Sequence, residues 1–192
     1  MPVPTSSTAT LVTLVALAAG TLLASGCQTP ASSSSSATAE GPLRALQRPI
    51  ELDRFMGDWF VLAHIPVFIE RDAHNAVESY DLQPDGTIAT TYTFNRGALD
   101  GPVRTLHPKG WVHDQLHRTE WRMQFVWPFK SAYLIVYVDD EYETTVIGVP
   151  NRKYAWIMAR SSSIPEDRYE KLVGVLRDTG HDVSRLRRVP HG

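Results

Sequence analysis

One thiol, seven histidines and a few carboxylate clusters are the side chains in this chain whose types could do covalent, metal or acid–base chemistry. The thiol is Cys27, so neither an intrachain disulfide nor a multi-cysteine zinc site can form. His113 and His117 stand four apart, with Asp114 between them and His107 nearby. That spacing holds a metal when it lies on one face of a helix, but here it falls at a strand end or loop, and no metal site is expected. Asp139, Asp140, Glu141 and Glu143 crowd a segment that reads as a turn, not as a catalytic pair. No GxSxG elbow, Walker phosphate loop or HExxH zinc motif occurs, and no cofactor or catalytic residue is expected. Arg185, Arg187 and Arg188 form a solvated basic cluster that could touch anionic headgroups. Lys plus Arg total 19 against 21 for Asp plus Glu, a formal net charge of −2, which argues against a nucleic-acid-gripping polycation.

The chemistry that remains is apolar enclosure, and strand alternation is what would build it. Successive strand side chains point to opposite faces. Trp121, Met123 and Phe125 share one face while Arg122 and Gln124 share the other, so the apolar set should point inward. Ile88, Thr90, Tyr92 and Phe94 form a second inward set, Val77 with Ser79 a third, and Trp156 with Met158 a fourth. The run around Tyr133, Ile135 and Tyr137 is apolar on both faces, because a helix or a second copy of the chain in a homodimer can cover the outside. Such a lining suits an acyl chain or another elongated lipophile, with methionine as an adaptable wall. The alternative is that these side chains fill the interior and leave no cavity.

These faces need strands to carry them. The 192 residues, 43% of them hydrophobic, suit one domain with a real core. From Trp59 to Arg160, β-rich runs alternate with turn signals such as Pro84-Asp85-Gly86, Asp100-Gly101-Pro102 and Pro150-Asn151-Arg152. About eight strands follow, mostly neighbours in sequence, and such a sheet closes into an antiparallel up-and-down barrel that holds one small ligand. Tyr169, Leu172, Val173 and Leu176 then switch to helical spacing between Pro165 and Gly180. That predicts one helix packed outside the barrel, with Leu186 and Val189 in a short last strand.

The first 43 residues carry one charge, Glu40, and Leu11 to Ala24 is an apolar run of 14. A bilayer-spanning helix needs ~20 residues, so the run has the length of a signal-peptide core instead. It ends in Leu22-Leu23-Ala24-Ser25-Gly26-Cys27, which resembles a bacterial lipobox. The resemblance implies cleavage after Gly26 and acylation of Cys27. No Lys or Arg precedes the apolar run, and Ala24 stands where a lipobox more often has Leu. Ser/Ala-rich sequence follows, so residues 1–26 are read as a lipoprotein signal peptide, 27–48 as a lipidated, flexible tether and 49–192 as the folded domain.

Within that domain, Arg54-Phe55-Met56-Gly57-Asp58-Trp59-Phe60 resembles the Gly-x-Trp opening of lipocalins. Val138-Asp139-Asp140-Glu141-Tyr142 resembles their second block, and Trp156-Ile157-Met158-Ala159-Arg160 their third, a strand ending in Arg. The order and spacing are those of an eight-stranded barrel followed by a helix. The resemblance is strongest to the bacterial outer-membrane lipoprotein branch. It implies that Gly57 and Trp59 close one end of the barrel with Arg160 lying across the indole, and that Tyr133, Ile135 and Tyr137 point inward. It also implies a membrane-anchored carrier of fatty acids or lysophospholipids at the periplasmic face of the outer membrane. A structural lipoprotein with a filled barrel, and a barrel isomerase, are the alternatives. The cavity-thiol form of the isomerase is excluded because Cys27 lies before the tether.

Overall fold

The computed structural model describes residues 41–192. Cys27, the signal peptide and most of the tether lie outside the described residues. Among the described residues ten strands form: β1 (Gly57–Ile65), β2 (Ala73–Leu82), β3 (Thr87–Arg96), β4 (Val103–Leu106), β5 (Lys109–Val112), β6 (Glu120–Val126), β7 (Phe129–Val138), β8 (Thr144–Gly148), β9 (Ala155–Ala159) and β10 (Arg187–Arg188). Two helices accompany them, α1 (Leu52–Phe55) and α2 (Glu166–Asp178).

Every strand pairing is antiparallel, and the β1–β9 pairing closes the sheet into a barrel. β4 and β5 both pair with β3, so together they make one interrupted strand and the barrel has eight positions. β4, Val103-Arg104-Thr105-Leu106, is too short to show a period in the sequence. The expected last strand shrinks to Arg187–Arg188, paired with Ala63 and His64 of β1.

Two apolar layers follow from the alternation. One lies inside the barrel and includes Phe55, Trp59, Ile88, Trp121, Ile135 and Met158. The other lies outside, where Tyr169, Leu172, Val173 and Leu176 of α2 cover Leu62, Ala63, Ile65, Val146, Ala155 and Ile157. Strands β1, β8 and β9 are therefore apolar on both faces, which erases their period-2 signal. Gly180 lies just beyond the end of α2, and its φ of +81° lets the His181 amide return to the Leu176 carbonyl at 2.9 Å.

Packed structure begins earlier than the predicted boundary at residue 49. Leu43 is buried, with its amide on the Pro150 carbonyl at 2.9 Å, and the Leu46 amide bonds the Ile135 carbonyl at 2.8 Å. The final part of the expected tether is thus laid against the barrel. Ser/Ala composition marked its start, but two leucines were too few to mark its end.

Candidate ligand cavity

The closed end is built first. Phe55 of α1 and Trp59 of β1 are fully buried, with ring centroids 5.0 Å apart, and Trp121 meets Phe55 edge-on at 5.4 Å. The Trp59 indole N–H donates to the Phe55 carbonyl at 2.8 Å. The Arg160 guanidinium lies 3.8 Å above the Trp59 ring and donates to the carbonyls of Arg54, Met56, Asp58 and Tyr142 at 2.7–3.2 Å. Those four bonds satisfy the charge where it leaves water and fasten three separate segments across the plug. Gly57 sits beside it at φ +89°, a backbone state that favours glycine, and a Cβ there would lie 3.5 Å from an Arg160 nitrogen.

Above this plug the interior divides. Ile88, Trp121, Ile135 and Met158 point inward but fill the lower half with their own volume. The upper half is open, a cavity of about 660 Å³. Met123, Tyr92, Tyr133 and Trp156 form its walls, with Leu106, Phe125, Val149 and Tyr154 nearer the rim. A short 3₁₀ turn, Phe68–Glu70, folds over part of the mouth. Its Phe68 is 78% exposed, so the turn leaves the entrance unsealed.

The wall carries a polar cluster. Glu70 turns inward, and its Oε2 accepts from the Trp156 indole at 2.9 Å and the Tyr92 hydroxyl at 3.1 Å. His64 Nδ1 stands 3.3 Å from the same oxygen. Deeper, the Tyr80 and Tyr133 hydroxyls bond each other, and the Tyr133 hydroxyl lies 3.4 Å from Glu78 Oε2. Burial, the strongest influence, pushes the Glu78 carboxyl up to about 7, with a further push from Glu70 and opposition from the two tyrosine hydroxyls.

Of the residues expected to face inward, three do not. Val77 lies half-buried on the outer face of β2, and Ala76, Glu78 and Tyr80 point in instead. Glu78 pairs with Trp59 and Tyr92, both inward, which fixes its face. The reading placed the more apolar set inside; hydroxyl partners made the acidic set acceptable there, and Ser79 goes out with Val77. Tyr137 also lies outside, packed in the layer under α2, because a bulge between Ile135 and Tyr137 shifts the register of β7 against β8. The inward face therefore continues with Val138. Tyr92, Met123, Phe125, Tyr133 and Trp156 do line the cavity, although Phe125 is half-exposed at the rim. His64, Glu70, Glu78 and Tyr80 were missed. Glu78 and Tyr80 were readable as alternation with Ala76, whereas a 3₁₀ turn gives Glu70 no strand parity to read.

The remaining candidate groups sit elsewhere. His117 Nδ1 bonds Asp114 Oδ2 at 3.1 Å within a turn. Asp139 accepts from the Glu143 and Thr144 amides at 2.7 and 3.1 Å, which makes it a turn residue. Arg188 stacks on Tyr169 at 3.7 Å and pairs with Glu166.

Residues 50–191 match the family described as Lipocalin-like domain. The chain belongs to the lipocalin family. Among curated relatives, Temperature-induced lipocalin-1 of Arabidopsis thaliana is 28% identical over 153 residues, covering 73% of this chain and 79% of that one. Outer membrane lipoprotein Blc of Escherichia coli K12 is 25% identical over 181 residues, covering 92% and 94%. Insecticyanin of the tobacco hornworm Manduca sexta superposes with a TM-score of 0.62 at 14% identity, over 78% of this lipocalin and 85% of that chain. Apocrustacyanin C1 does so at 0.60 and 13% identity, over 74% and 80%. At those identities the two structures speak for the fold alone.

Proposed function

We propose that this lipocalin binds a single-chain lipophile, a fatty acid or lysophospholipid, without chemical change and holds it in the cell envelope. The observation that carries the reading is the 660 Å³ cavity, open at one end and walled by aromatic and apolar side chains. Its size falls within the ~300–1,000 Å³ range of small-molecule sites. Each buried CH₂ of an acyl chain contributes ~0.8 kcal/mol, offset in part by ordering the ligand, which leads to micromolar affinity. The lipobox-like sequence at Cys27 and the relatives named outer membrane lipoprotein support an acylated anchor at the outer membrane.

Native mass spectrometry with lipid extraction, followed by a titration of fatty acids and lysophospholipids of graded length, tests the binding. Tryptophan fluorescence reports occupancy through Trp156. Affinity is expected to rise with chain length until the cavity is full. No saturable binding would favour a purely structural lipoprotein, and release of altered lipid would favour an enzyme. Cys27→Ser is expected to free the protein from membrane pellets or leave an uncleaved precursor. Identical fractionation of parent and variant, with no labelled lipid taken up by the parent, would remove the anchor.

A further inference from the structure

Beside the mouth lies a second depression, of about 530 Å³, lined by Phe68, Ile69, Arg71, Asp72, Phe94, Arg96, Arg104 and Leu106. It shares Phe68, Ile69 and Leu106 with the acyl cavity, so the two adjoin across common walls. Two of its three arginines are there by strand register. Arg96 pairs with Ala73, an inward residue, and extends the inward series Ile88, Thr90, Tyr92, Phe94 to the rim. Arg104 pairs with Phe94, also inward, and Leu106 with Tyr92. Directly paired side chains share a face, so Arg96 and Arg104 both project from the inner surface of the barrel at its open end. Arg71 joins them from the turn before β2, with its guanidinium 5.2 Å from the Phe68 ring.

None of the three forms an ion pair or side-chain hydrogen bond among the described residues, although other arginines do so, such as Arg54 with Glu51 and Arg122 with Glu120. Asp72 is the single carboxylate in the lining, which leaves an excess of positive charge. The cavity below has the opposite character. Glu70 lines it, Glu78 is buried behind the Tyr133 hydroxyl, and no Lys or Arg lines it. An anionic group is therefore disfavoured deep in the barrel and favoured at the rim, and guanidinium forks suit a phosphate or carboxylate.

We propose that Arg71, Arg96 and Arg104 form a headgroup site for an anionic single-chain lipid whose acyl chain occupies the cavity. The inference rests on the acyl-chain reading above and adds the polarity and charge of the ligand: tail inward, anion at the arginine rim.

The test compares lysophosphatidylglycerol with monoacylglycerol of the same chain length, both below their aggregation concentrations, on the purified full-length chain. The anionic lipid is expected to bind about tenfold more tightly, the scale of one charge-assisted hydrogen bond, and the advantage should shrink with added salt. Arg96→Ala with Arg104→Ala should abolish the advantage and leave monoacylglycerol affinity and the thermal melt unchanged. Equal affinity for both lipids, unaltered by the substitutions, would overturn the headgroup site while leaving the acyl cavity intact. If neither lipid binds, the headgroup site and the acyl cavity both fall. Glycerol phosphate serves as the chain-free probe. If it binds as tightly as the lysolipid without competing with it, the site takes free phosphate esters and the lipid assignment falls.

Discussion

Glu78→Gln isolates the cost of keeping a carboxyl inside the barrel. Burial raises the Glu78 pKa from 4.5 to about 7, with Glu70 adding to the rise and the Tyr80 and Tyr133 hydroxyls opposing it. Below pH 4.5 the carboxyl is protonated in folded and unfolded chains alike, so it does not change stability with pH. Between 4.5 and about 7 the unfolded chain has released this proton while the folded chain retains it, and stability falls. Above that window both forms are ionised and the loss is complete. At about 1.4 kcal/mol per pH unit, the interval amounts to about 3 kcal/mol. Glutamine keeps the volume and an oxygen for the Tyr133 hydroxyl but has no proton to lose. Urea unfolding of parent and variant between about pH 4 and about pH 8 is the assay, and the stability gap should move in favour of the variant by about 3 kcal/mol. All other titrating groups are common to the two proteins and cancel from the gap. A gap that stays constant with pH would refute the reasoning.

Trp59→Ala should cost ~3–5 kcal/mol as a large-to-small change in the plug, and Arg160→Ala less; an unchanged thermal melt in Trp59→Ala would remove its role at the closed end. His181 is pushed by burial from 6.5 down to about 4, with Arg152 adding to the fall and the Leu176 carbonyl opposing it. As pH falls through that window the unfolded histidine takes a proton that the folded one refuses, so stability drops; His181→Gln should flatten this acid limb in the same unfolding assay. Trp156→Ala should weaken lipid binding several-fold while Tyr137→Ala leaves it unchanged, because only the first residue lines the cavity; equal effects in a fluorescence-independent binding assay would contradict that placement.

The parts of the barrel legible in sequence were those where one face was plainly apolar and nothing interrupted the count. Ile88, Thr90, Tyr92 and Phe94 point inward as read, since β3 keeps strict alternation through that stretch. β2 defeated the same rule because its inner face holds an acid: a carboxyl satisfied by tyrosine hydroxyls packs where hydrophobicity alone would place Val77. β7 defeated it through geometry, because one bulge reverses every later side chain and the residues around Tyr137 are apolar on both sides of it. The plug was legible for a different reason, through the Gly57-Asp58-Trp59 and Arg160 signature. Glu70 depended on a turn whose direction is set by tertiary packing, which single-sequence patterns do not encode.

The interruption between β4 and β5 has a mechanical consequence. A closed barrel resists widening because hydrogen bonds brace every junction between its strands. Here β6 is bonded to β5 only from Trp121 to Gln124, while β4, higher on the wall, pairs with β3 alone. Beside Phe125 and Val126 the rim therefore has no paired strand on one flank, a local sheet edge in a fold that otherwise has few. Compliance is concentrated at that seam. The backbone amides of Phe125 and Val126 should exchange hydrogen faster than those of the middle of β3, and a ligand too bulky for the resting cavity would be accommodated by spreading the wall there before any other junction gives way.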